Sequence, residues 1–79
     1  MYYFYVLFSD LDKKYYYGST KDLKKRFKEH ENGQVLSTIH RRPVRLAYYE
    51  AYDTIDKARF REQQVKKSGA IRANLHKRI

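Results

Sequence analysis

The sequence predicts an α+β domain, a small three-stranded antiparallel sheet flanked by helices in the order β-β-α-β-α-α. Three observations predict it. Tyr2 to Phe8 is an unbroken aromatic and aliphatic run, too short for a helix of ordinary length and rich in strand formers. Val44, Leu46 and Tyr48 alternate with Arg45, Ala47 and Tyr49, the period of a strand with one buried face. Two other segments repeat apolar residues at helical spacing between capping residues.

Each element can be justified in turn. The Tyr2–Phe8 run reads as a central strand covered on both faces. Ser9-Asp10-Leu11-Asp12-Lys13 is a turn, and Tyr15-Tyr16-Tyr17 is a partner strand ending at Gly18, so the two form an antiparallel hairpin. Ser19-Thr20 offers an N-cap, with Asp22 in the capping-box position three residues after Ser19. The helix that follows runs to about Glu31 and stops at Asn32-Gly33. Residues 34–43 form a polar loop closed by His40-Arg41-Arg42-Pro43, and the third strand follows it. Asp53 or Thr54 caps a second helix ending at Ser68-Gly69, and the basic segment Ala70–Ile79 forms the last helix.

Composition narrows the function classes. The 79 residues make one domain with one thin core, burying about 60% of the unfolded surface. With 42% hydrophobic and 34% charged residues the chain is globular rather than disordered. It has no cysteine, which excludes a disulfide scaffold, a thiolate zinc site and a cysteine nucleophile. No apolar run approaches the ~20 residues that span a bilayer. The N-terminus lacks the basic region and cleavage site of a signal peptide, so a soluble, cytoplasmic protein is expected. Charge is the strongest signal. Eighteen Lys and Arg against nine Asp and Glu give +9, with a pI near 9.9, the footprint of a polyanion binder. An anionic membrane would want helices more strongly apolar than these. Nucleic acid is the expected partner.

Three sets of residues sit where packing alone would not put them. On the first helix, Leu23 and Phe27 define the inward stripe, and Arg26 and His30 lie on it, while Lys21, Lys24, Lys25 and Lys28 fall outside. Taken alone, Arg26 fits a snorkelling side chain as well as a functional one. On the second helix Ile55, Ala58, Glu62 and Val65 share one face, so Glu62 stands in an apolar position. A carboxylate there needs an ion pair, with Arg26 or Lys66, or a functional partner such as a metal. Third, nine residues are Tyr, six of them in the first hairpin. Tyr3 and Tyr5 share one strand face, and Tyr2, Phe4, Val6 and Phe8 the other. These rings suit an amphipathic core, and they also suit stacking on unpaired bases.

These residues together resemble the GIY-YIG nuclease superfamily. The resemblance is carried by Tyr3-Phe4-Tyr5, Tyr16-Tyr17-Gly18, Arg26, His30 and Glu62. It is nearest to the small standalone members, which are similar to the N-terminal nuclease domain of the excision-repair incision subunit. Tyr5 and Tyr16 are 11 residues apart and Arg26 follows Gly18 by 8, both within the family's spacing. Ser37-Thr38, Arg42-Pro43, Tyr48-Tyr49-Glu50-Ala51, Arg61-Glu62 and Lys66-Lys67-Ser68-Gly69 with Arg72 also look like the standalone branch. The likeness spans essentially the whole chain. Each tyrosine motif is short and degenerate by itself; five positions in register with the helix faces are far more specific. The first motif departs in lacking its Gly and Ile. Ser19 stands where repair nucleases often carry Lys, and Asn74 is the nearest match to an Asn some members use near the C-terminus.

The resemblance implies phosphodiester hydrolysis with one divalent metal ion, Mg²⁺ or Mn²⁺. Glu62 would be its ligand, which suits an ion that keeps several waters and takes one or two carboxylates. Arg26 would hold the scissile phosphate. Tyr5 would orient or deprotonate the attacking water, with Tyr16 supporting it and a nearby cation lowering its pKa. His30 would position water or phosphate, or act as an acid-base partner. Lys24, Lys25, Lys28, Arg41, Arg42, Lys66, Lys67 and Arg72, with Lys77 and Arg78, are candidates for backbone phosphates, which set affinity without reading sequence. Low sequence specificity follows, with DNA favoured and RNA open. The chain would be a monomer or weak homodimer, and a protein partner could confer specificity. The competing reading is a binding module of the same fold that does no chemistry and acts with a partner. Filled Tyr, Arg and Glu positions favour the enzyme.

Overall fold

The central strand β1 (Tyr2–Ser9) pairs antiparallel with β2 (Tyr15–Thr20) on one side and β3 (Val44–Tyr52) on the other, giving the sheet order β2-β1-β3. The computed structural model describes residues 1–79. Helix α1 (Leu23–Glu31) packs on one face of the sheet, against β1 and β3. Helices α2 (Ile55–Lys67) and α3 (Gly69–His76) cover the other face. The α+β order β-β-α-β-α-α is the one the sequence predicts.

Alternation along β1 sends its residues to two cores. Phe4 and Val6 meet Val65 of α2 and Leu75 of α3, with Tyr15, Tyr17, Tyr48 and Tyr52 around them. Tyr5 and Leu7 meet Val44, with Tyr16, Leu23 and Phe27, on the α1 side. Only a strand covered on both faces tolerates such an unbroken apolar run.

Four local expectations change. Strand β2 does not end at Gly18 but continues to Thr20, because β1 is long enough to pair Tyr3 with Thr20 and Phe4 with Ser19. Ser19 is therefore a ladder residue and not a helix cap. Asp22 caps α1 instead, its carboxylate accepting from the Lys25 N–H at 3.1 Å. In β3 the alternation breaks: Val6 pairs with Tyr48 but Leu7 pairs with Leu46, so Ala47 is an extra residue in a bulge. The bulge flips the side-chain phase, leaving Val44 on the α1 side and Tyr48 on the α2 side. The loop after α1 also holds a turn of 3₁₀ helix (Ile39–Arg41) and buries Val35 and Thr38.

The stops and caps otherwise lie where turn chemistry puts them. Gly33 ends α1 with φ of +75°, a left-handed conformation that suits glycine. Thr54 caps α2, and Ser68 both ends α2 and caps α3. No helix is long and apolar enough to cross a membrane.

Candidate active site

Tyr5 anchors the site from the central strand. Its ring is 2% exposed and lies across Gly18 of the neighbouring strand, the residue paired with it in the ladder. A Cβ on Gly18 would sit 2.5 Å from the ring carbon that bears the hydroxyl and 2.5 Å from the oxygen itself. The missing side chain is thus what lets the phenol reach across β2, the edge strand. Gly18 is needed here for close approach.

Helix α1 delivers two residues to that phenol. His30, 0% exposed, is joined to Tyr5 Oη through Nε2 at 2.8 Å, and its Nδ1 is 2.7 Å from the buried Thr38 Oγ1. Both ring nitrogens have partners, and burial lowers the imidazole to about 4, with the Arg26 cation acting in the same direction. His30 is neutral near pH 7. Arg26, one turn earlier, is half-buried at the mouth of an open polar cleft and pairs with Glu29 at 3.1 Å. It lies on the stripe with Leu23 and Phe27, and its guanidinium faces both Glu29 and the Tyr5 hydroxyl.

Burial pushes the Tyr5 phenol up to about 12. The Arg26 guanidinium pulls it down, and Tyr16 and Glu62 push it further up. The cation that the sequence reading invokes is therefore present, but desolvation outweighs it and the phenol is protonated at neutral pH. Tyr16, half-buried on the same face, meets the His30 ring edge-on at 5.2 Å and accepts a hydrogen bond from Ser37 Oγ at 3.2 Å.

Glu62 reaches the site from the opposite face of the sheet. Its side chain is 19% exposed, with Oε1 accepting from Ser19 Oγ at 2.6 Å and Oε2 paired with Lys66 Nζ. Of the two ion pairs its position allows, the one formed is with Lys66. Ser19 points to the α2 side and Gly18 to the α1 side, so the edge strand β2 brings a carboxylate and a phenol from two layers to one rim. Ser19 was missed as a site residue because its partner lies 43 positions away, and Thr38 because nothing local marks a buried hydroxyl.

The basic candidates divide by their contacts. Lys24, Lys25 and Lys28 are exposed along α1 beside the cleft, and Lys67 is exposed on the last turn of α2. Lys77 and Arg78 are exposed at the C-terminus. Lys66 is held by Glu62. Arg41 pairs with Asp12 at 2.6 Å and donates to the Tyr15 carbonyl, which ties the first turn to the loop before β3. Arg42 donates to the Ile39 and Glu31 carbonyls. Arg72 donates to the Val65 and Lys66 carbonyls, satisfying the C-terminal end of α2.

No cluster of three or more His, Cys, Asp or Glu side chains that could hold a metal is present. The donor set nonetheless suits a hard, mostly hydrated cation: one carboxylate, Glu62, half-buried and already paired with a cationic group, Lys66.

Comparison with known proteins shows the family. The GIY-YIG catalytic domain model matches residues 1–73. A UPF0213 protein of Staphylococcus saprophyticus is 45% identical over 56 residues, covering 70% of this chain and 68% of its own. A UPF0213 protein of Streptococcus pyogenes serotype M3 is 44% identical over 66 residues, covering 82% and 71%. No solved structure matches. The chain belongs to the GIY-YIG family of nuclease-type catalytic domains.

Proposed function

We propose that the protein is a metal-dependent endonuclease that hydrolyses phosphodiester bonds in nucleic acid, DNA in the first place, with low sequence specificity. The observation that carries this reading is the meeting of a buried phenol, a neutral imidazole, a guanidinium and the Glu62 carboxylate at one sheet edge, in a chain of charge +9.

Arg26 offers its fork to the scissile phosphate, exchanging a partly exposed contact with Glu29 for charge that grows in the transition state. Tyr5 Oη is the group that meets the attacking water. With the phenol pushed up to about 12 and the imidazole down to about 4, the proton rests on Tyr5 and the imidazole is neutral before attack. The proton therefore moves during attack: as the water oxygen bonds to phosphorus and the scissile P–O bond breaks, water gives a proton to Tyr5 Oη, Tyr5 gives its own to His30 Nε2, and the departing oxygen takes a proton from solvent water. Thr38 Oγ1, accepting from Nδ1–H, keeps the Nε2 lone pair turned toward Tyr5. Tyr16 packs against the His30 ring and supports that orientation. Glu62 is the residue that would hold Mg²⁺ or Mn²⁺, with Ser19 orienting its carboxylate, and the ion would supply Lewis-acid charge at the phosphate. Lys24, Lys25, Lys28 and Lys67 would take backbone phosphates, contacts that confer affinity without sequence reading.

The test is cleavage of end-labelled single-stranded, duplex and branched DNA and of RNA, with Mg²⁺, Mn²⁺ or chelator. Wild type would be compared with Glu62→Gln and Arg26→Ala. Cutting that needs metal and is lost in both variants is expected, with binding by Glu62→Gln retained. Binding without cutting by wild type under every condition would replace the enzyme by a binding module of the same fold.

A further inference from the structure

We infer that the groove between α1 and the β1/β3 side of the sheet is a second binding site, one that seats an unpaired nucleobase next to the cleaved phosphate. The groove is open to solvent and offers about 490 Å³, within the range of small-ligand sites. Its walls include Tyr3, Phe27, Leu46 and Tyr49, and at its rim the exposed cations Lys21 and Lys24 outnumber the one carboxylate, Asp22. Tyr49 is 53% exposed, and its ring meets that of Tyr3 edge-on with centroids 6.0 Å apart. Neither ring has a role in the site at Tyr5. Tyr49 is on this face because of its place beyond the bulge in β3, and α1 is too short to cover that end of the sheet.

Charge selects the occupant. An apolar floor with aromatic walls and a cationic rim matches a base with its phosphate, since every base has a stacking face and every linkage an anion. A second copy of a +9 chain would bring like charge to the same lysines. Position gives the substrate class. Lys21 and Asp22 line both this groove and the polar cleft that holds Arg26 and Ser19, so the two share a wall. A strand whose phosphate lies at Arg26 thus places a neighbouring nucleotide at the groove, and only an unpaired one can enter. Flaps, loops and single strands fit; an intact duplex does not.

This inference rests on the nucleic-acid reading above but not on turnover, so its test is run in chelator. Binding of a short fluorescein-labelled oligothymidine, an abasic oligomer of equal length and a duplex is measured for wild type, Tyr49→Ala and Tyr49→Phe. Wild type should prefer oligothymidine to the abasic strand. Tyr49→Ala should lose about 5- to 150-fold on oligothymidine, as removal of one base-stacking ring does. The abasic strand and duplex should be unchanged, and Tyr49→Phe should bind as wild type. Tyr49→Thr, strand-compatible and ringless, replaces Ala if the latter does not fold. Equal wild-type binding of the two single strands, or an equal loss on both, would overturn the inference. So would a wild-type dimer that Tyr49→Ala dissolves, since a second copy would then fill the groove. A protein that shows the expected binding pattern but never cuts would keep the groove and lose the proposed activity.

Discussion

Gly18→Ala tests the geometry on which the site depends. The added methyl would lie 2.5 Å from both the hydroxyl-bearing carbon and the oxygen of Tyr5, whereas ordinary contact begins near 3.4 Å. One of the two must yield by roughly 1 Å, and interiors packed at crystal-like density leave little room for it. Gly18 pairs with Tyr5 in the ladder and the Tyr5 ring is buried, so neither strand nor ring is free to move. Overpacking of this kind destabilises by about 1–3 kcal/mol. In a domain of this size each kcal/mol lowers Tm by about 4–8 °C, read by circular dichroism. A ring displaced by about 1 Å also loses its 2.8 Å bond to His30, and misplacement on that scale lowers turnover by about 10²-fold. Tyr5→Phe beside it separates the effects, since it removes the hydroxyl without the clash. A Gly18→Ala protein with wild-type Tm would refute the packing account, and one with wild-type cleavage would refute the placement of Tyr5 in the mechanism.

Other expectations follow from the buried polar groups. Thr38→Val leaves His30 Nδ1 without a partner in a fully buried position; it should destabilise by about 1–3 kcal/mol and slow cleavage, and Thr38→Ser should restore both. Because the folded state holds His30 at about 4, below the ordinary value of 6.5, the unfolded chain binds the extra proton first. Stability is therefore fully present above pH 6.5 and falls toward pH 4 by about 3 kcal/mol, a slope that urea titrations at several pH values should find and that His30→Gln should flatten. Arg61 holds Glu50, which also accepts from the Tyr48 and Tyr52 hydroxyls at 2.7 and 2.6 Å. Arg61→Leu leaves that carboxylate short of its cation and should lower stability by about 1–3 kcal/mol in chemical denaturation while binding of DNA stays near wild type.

Much of this molecule is legible along the chain, because the physics concerned is local. A short apolar run between turn residues is a strand wherever it occurs, and Asn32-Gly33, Thr54 and Ser68 mark helix ends through their own backbone and side chains. Helical spacing alone places Arg26, His30 and Glu62 on inward stripes, so these residues stand out along the chain itself. Pairing across the fold is another matter. That Ser19 belongs to the edge strand and binds Glu62, that Thr38 holds His30, and that Arg41, Arg42 and Arg72 are engaged by the protein's own acceptors depends on how the chain folds back on itself. The bulge at Ala47 shows the reason most clearly. One extra residue moves Tyr48 and Tyr49 to opposite faces from those the alternation assigns, and that choice is made by which face packs better against α1 and α2. Sequence determines the elements and the residues at odds with them; packing between elements decides which of those residues meet.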